Sequence, residues 1–230
     1  MSVNGARNVL GGATFVALLV ALYMVFIFAP LPANVSDFPE VQKILYFHVS
    51  VAWIEFLAFF VVFVGSIAYL KTRSRRWDVL AAASAEIGIV YCSLVLLTGP
   101  VWAKAAWNVW WTWDPRLTTT LILWFIYVAY LLIRNSAEED EKRARFAAVF
   151  GIIGFVDVPI VFMAIRWWRT IHPLIFEGGN VGLSPKMTAT LLVSIAAFTL
   201  LYFYFLVIRL NIAKLRLEVT QVKEELRAEL

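Results

Sequence analysis

Two histidines occur in the chain, His48 and His172, and each stands among aromatic residues. His48 lies in Lys43-Ile44-Leu45-Tyr46-Phe47-His48-Val49-Ser50-Val51-Ala52-Trp53, and His172 follows Arg166-Trp167-Trp168-Arg169-Thr170-Ile171. Between them, five tryptophans fall in one short stretch: Trp102, Trp107, Trp110, Trp111 and Trp113. Neutral imidazole is a strong ligand for iron, and a pair can hold heme from opposite faces. A row of indoles suits a large, planar, apolar ligand. Arg116, Arg169 or Arg166 would give a heme's propionates charge-assisted hydrogen bonds. These residue types point to heme or another metal porphyrin. The competing reading is an interfacial tryptophan belt with two surface histidines.

The elements that must position these residues are set by composition. The 230 residues are 62% hydrophobic and 16% charged, with mean hydropathy +0.79, too apolar for a water-facing domain of this size. The apolar residues come in six blocks, at about 9–30, 48–70, 79–99, 117–134, 146–166 and 187–209. Each is near the roughly 20 residues a helix needs to cross the hydrocarbon. The fold expected is an all-α integral membrane protein, with six transmembrane helices and an outer-face amphipathic Trp-rich segment. The first block is too long and too sparsely flanked by basic residues for a cleaved signal, and is read as helix 1. Residues 1–210 form the membrane domain, with the Trp-rich segment at 100–118. Residues 211–230 form a cytoplasmic tail, amphipathic through Leu215, Val219, Val222 and Leu226.

Lysine and arginine fix the expected orientation: 14 fall on the side of the termini and 6 on the other. The termini are therefore expected in the cytoplasm, and both histidines and the Trp-rich loop outside it. The basic balance thus describes topology rather than nucleic-acid binding. If the Trp-rich stretch is helical, Trp107, Trp110, Trp111 and Asp114 share one face. That would form a flat platform in the interface, ended by Pro115 and by Thr118 at the start of helix 4. Cys92 stands alone inside helix 3, and there is no C-x-x-C-H motif, so heme would be held without thioether links. No phosphate-binding G-x-x-x-x-G-K-[ST] loop is present, and nothing in the chain makes a catalytic constellation. Glu55, Glu86 and Asp157 lie at membrane depth, where ionisable groups are costly and invite a functional reading.

The run Trp-x-Lys-x-x-Trp-x-x-Trp-Trp-x-Trp-Asp-Pro-Arg-Leu-Thr, from Trp102 to Thr118, resembles the signature of the tryptophan-rich (WWD) heme-handling proteins of cytochrome c biogenesis. The short six-span chain and its two histidine segments are similar to the CcmC family within that group, over about residues 8–210. The resemblance implies that His48 and His172 are axial ligands of a transient, non-covalent heme b. It also implies that Trp102, Trp107, Trp110, Trp111, Trp113 and Asp114 form the heme-binding surface. The role implied is transfer of heme, at the periplasmic face of the bacterial inner membrane, to the heme chaperone CcmE. The ABC-type subunits CcmA and CcmB and the small subunit CcmD would be the other partners.

Two other functions compete. A transporter would pass heme or a small solute along Glu55, Glu86 and Asp157, but no inverted repeat or paired broken helices are visible. A respiratory cytochrome b subunit usually seats its histidines within the spans, whereas these two sit at helix mouths.

Overall fold

A segment crossing hydrocarbon must satisfy its backbone within itself, which makes it a helix. The computed structural model, which describes residues 3–31, 39–135, 140–168, 170, 172, 176–177 and 180–228, has six of them. They are α1 (Val3–Tyr23), α2 (Ile44–Thr72), α3 (Arg75–Trp107), α4 (Pro115–Arg134), α5 (Asp140–Trp167) and α6 (Pro185–Ala228). All six are long and apolar enough to span a membrane, as the six sequence blocks predict. A π-helical turn, Met24–Phe28, prolongs α1, and a 3-10 turn, Pro39–Lys43, leads into α2. Between α5 and α6, β1 (Phe176–Glu177) and β2 (Asn180–Val181) pair as a minimal antiparallel hairpin.

Helix α2 is the centre of the bundle, packed against α3, α5 and α6, while α1 lies outside against α6. Val51, Ile54, Ala58, Phe59 and Val62 of α2 are fully buried. The Phe59 ring stacks on Tyr127 of α4, with centroids 3.6 Å apart and planes within 8°. Helix α3 can approach this pair because residue 88 is glycine. A Cβ there would stand 2.6 Å from Phe59 Cε1 and 3.2 Å from the Ala58 Cβ. Close approach at small residues is how membrane helices gain packing energy when lipid is as apolar as they are.

The helices overshoot the predicted blocks. Helix α3 has 33 residues, about 50 Å of helix against roughly 30 Å of hydrocarbon. Its last turns, which carry Trp102 and Trp107, run past the apolar block that ends at 99. The condition for a platform helix is not met, because α3 stops at Trp107 and residues 108–114 are not helical. Asn108 takes the left-handed conformation (φ 59°), and its N–H closes on Lys104 O at 3.0 Å. Asparagine tolerates that geometry, which ends a helix. Helix α4 then begins at Pro115 rather than Thr118, with Asp114 as N-cap.

Two other helices also run past their apolar blocks. Residues 211–228 continue α6, which runs unbroken for 44 residues to Ala228. No proline or glycine interrupts α6 after Pro185. The gap between the apolar blocks that end at 134 and begin at 146 shortens from its far end: Glu141, Lys142, Arg143 and Arg145 belong to α5, where Arg145 pairs with Glu141 one turn away. Glu138 and Glu139, also in that gap, lie outside the described residues.

The α2–α3 approach can be tested directly. Gly88→Val should destabilise the detergent-solubilised protein by about 1–3 kcal/mol through overpacking against Phe59. It would be read as a lowered thermal midpoint in circular dichroism. An unchanged midpoint would mean that the helices can separate without loss.

Candidate functional site

One cleft collects most of the residues singled out by their chemistry. It opens where the start of α2, the end of α3 and the start of α4 meet. It encloses about 890 Å³ counting its open mouth, and His48, Trp102, Trp107, Trp111, Arg116 and His172 line it. Leu45 and Val49 of α2, Val95, Leu96 and Gly99 of α3, and Leu117 of α4 make its remaining walls largely apolar.

His48 sits one turn into α2, and its Nδ1 lies 2.8 Å from Thr98 Oγ1 on α3. Thr98 spends its only hydroxyl proton on Leu94 O, at 2.7 Å. The hydroxyl oxygen must then accept from His48, which places the imidazole proton on Nδ1. Nε2 is left with its lone pair, the state a neutral metal-ligating histidine needs. Gly99 lies beside the ring, where a Cβ would stand 3.5 Å from His48 Cε1, an ordinary contact distance.

His172 reaches the same cleft from the segment after α5, tied to α4 by a chain of hydrogen bonds. Asp114 caps α4 by accepting from Arg116 N at 3.0 Å through Oδ1, and Pro115 occupies the first helical position, where its missing N–H costs nothing. The other carboxylate oxygen of Asp114 accepts from the Thr170 hydroxyl. Thr170 Oγ1 in turn accepts the His172 backbone N–H at 3.0 Å. Asp114 is only 8% exposed. It acts as the clasp between the α4 start and the His172 segment, and does not line the cleft.

The tryptophans divide into two sets. Trp102 and Trp107 pack edge to face, centroids 4.7 Å apart, and with Trp111 they form cleft wall. Trp110 and Trp113 stay outside the lining, 59% and 75% exposed. The indoles meet at steep angles, 81° and 84° in the two contacting pairs, so they make a corner rather than a flat platform. Arg116 lines the cleft, whereas Arg169 lies outside the described residues.

Sequence reasoning missed two residues. Thr98 is 50 positions from His48 on another helix, and no local pattern links them. Thr170 did leave a signal, because a threonine two residues before a histidine can take that residue's N–H in a local turn.

Among the described residues, no three histidine, cysteine, aspartate or glutamate side chains gather as a metal cage. The cleft instead offers imidazole nitrogen, apolar walls and one guanidinium. That set suits a planar macrocycle that brings its own equatorial ligands and carries anionic groups on its edge. The membrane-depth acids stand apart from the lining. Glu86 is ion-paired with Arg209 of α6, while Glu55 Oε1 and Asp157 Oδ2 are buried with no hydrogen-bond partner among the described residues.

The family model described as heme exporter protein C (CcmC) matches residues 3–225. The chain is 32% identical over 214 residues to heme exporter protein C of Bradyrhizobium diazoefficiens, covering 91% of this chain and 77% of the relative. It is 31% identical to heme exporter protein C of Escherichia coli K12, over 82% of this chain and 76% of the relative. A putative cytochrome c biosynthesis ccmC-like mitochondrial protein of Marchantia polymorpha is 32% identical over 72% of this chain and 68% of its own length.

The tautomer argument gives a clean test. Thr98→Val keeps the side chain's shape but removes the acceptor that holds His48. Its affinity for added heme, followed by Soret absorbance, should fall about 10–100-fold, as for other residues that orient a metal ligand. Thr98→Ser should stay near the parent. Equal affinity in the valine variant would mean that something other than Thr98 sets the ring.

Proposed function

We propose that this chain, which belongs to the heme exporter protein C (CcmC) family, holds heme in the cleft and hands it to a partner. Its relatives carry names that place them in heme export and cytochrome c biosynthesis, and this chain is a multi-pass heme-handling membrane protein of that pathway. The observation that carries the finer reading is the convergence of both histidines of the chain on one tryptophan-walled cleft.

In this reading, His48 Nε2 and His172 are the axial ligands of a non-covalent heme b. Trp102, Trp107 and Trp111 flank the macrocycle, and Arg116 meets a propionate. Arg169, next to Trp168, is proposed to supply the second cation. The chain's own work is binding, orientation and release; the iron chemistry belongs to the cargo. The cleft faces the periplasm in a bacterial inner membrane, with both termini cytoplasmic. Trp110 and Trp113, exposed beside the cleft, are offered to the incoming heme chaperone CcmE. CcmA, CcmB and CcmD complete the assembly that releases the loaded chaperone.

Purified protein reconstituted with heme should show a b-type spectrum that is lost in His48→Ala and in His172→Ala. Retention of the parental spectrum in the double variant would sink the ligand assignment. Replacing Trp110 and Trp113 by alanine should leave that spectrum intact while lowering chaperone loading in membranes at least tenfold. Normal loading would remove these two residues from the hand-off surface.

The transporter reading rests on Glu55 and Asp157, buried acids that each have an oxygen without a hydrogen-bond partner among the described residues. Glu55→Gln with Asp157→Asn separates the readings. Hand-off at the cleft predicts that both heme binding and chaperone loading persist. Conduction between the helices predicts that loading stops while added heme still binds.

A further inference from the structure

At the opposite end of the bundle a second cleft separates the start of α3 from the continuation of α6. It encloses about 1060 Å³ counting its open mouth, and is lined by Arg75, Arg76, Trp77, Val79, Leu80, Leu210, Lys214 and Leu217. Along α3, residues 75–80 are some 20 positions from the heme cleft's Gly99 and Trp102, about 30 Å of helix. The two clefts therefore lie at opposite edges of the apolar layer.

The lining is sorted by chemistry. Trp77, Val79 and Leu80 face Leu210 and Leu217 to make an apolar floor. Arg75, Arg76 and Lys214 stand exposed around it, and no acidic residue lines the space. The nearby carboxylates on α3 are held elsewhere: Asp78 by a two-pronged pair with Arg134 of α4, Glu86 by Arg209. Glu218, outside the lining, stands 3.7 Å from Lys214 Nζ as an exposed pair one turn along α6, a contact that contributes little in water. The Arg76 guanidinium lies over the Trp77 ring, 5.3 Å from its centroid, so that cation is set at the boundary between floor and rim.

We propose that this cleft is a binding site for an anionic phospholipid. An apolar floor with a three-cation rim, at the edge of a membrane-spanning bundle, complements an amphiphile whose charged phosphate sits at the headgroup level. Acyl chain lies along Trp77, Leu80, Leu210 and Leu217, and the phosphate meets Arg75, Arg76 and Lys214. The lipid joins α3 to the part of α6 that continues past the bundle.

The test uses the full chain in nanodiscs of phosphatidylcholine with a minority of phosphatidylglycerol, released and weighed by native mass spectrometry. The parent should retain phosphatidylglycerol. Arg75→Gln, Arg76→Gln and Lys214→Gln together should lower that retention about tenfold or more, at unchanged phosphatidylcholine adducts. Lys142→Gln, Arg143→Gln and Arg145→Gln remove the same charge from α5 and should leave retention at the parental level. Unreduced phosphatidylglycerol in the first variant, or an equal loss in the second, overturns the site. Heme binding at the distant cleft reports folding. If the first variant fails to fold, Lys214→Glu alone, at an exposed position, is expected to lower retention several-fold, and unchanged retention there also overturns the proposal.

Discussion

Hydrocarbon offers a polar group nothing to bond to, and this absence of partners organises the protein at every scale. It makes each span a helix. It also favours hydroxyl groups that turn back on their own helix, as several here do: Ser50 to Tyr46 O, Thr98 to Leu94 O, Thr190 to Lys186 O. In most places this only removes a cost. At Thr98 it has a chemical consequence, because a hydroxyl that has committed its proton can only accept. The requirement to satisfy a threonine in the bundle thereby fixes which nitrogen of His48 carries hydrogen.

The same pressure shapes what lies beyond the bilayer edge. Once α3 has left the apolar layer, its backbone can meet water, and the chain is free to break at Asn108 and run irregularly to Asp114. That freedom gathers the tryptophans of one short motif into two populations. Those on the end of α3 and at Trp111 fold inward as cleft wall. Trp110 and Trp113 remain outside. A continuous helix would have put Trp107, Trp110 and Trp111 on a single face and left the cleft with less of a wall.

The spans were legible because apolar block length is the strongest signal in a membrane chain, and the structure moves only their ends. The co-location of His48 with His172 was legible more indirectly, from helix count and parity, which put both at the same end of the bundle. What stayed hidden is whatever depends on contact between distant segments. Asp114 read as part of a binding surface because it sits inside the tryptophan motif. Its oxygens are in fact turned toward Arg116 N and the Thr170 hydroxyl, and only the path of the chain after α5 brings Thr170 there. Glu86 read as a membrane-depth acid open to function, since its partner Arg209 is far off in sequence. The end of α3 was hidden for the opposite reason: it turns on one residue, Asn108, whose tolerance for positive φ is a local preference that context had to select.

The two histidines are held by different parts of the fold. His48 belongs to the most buried helix of the bundle and has its ring pinned by α3. The His172 backbone N–H is tied to Asp114 through the hydroxyl of Thr170. In the proposed reading, a cargo seated between them is tied to α2 on one side and, through the Thr170 hydroxyl, to the start of α4 on the other. On the heme reading, Asp114 therefore acts at one remove from the iron, through the strength of the clasp rather than by touching the cargo.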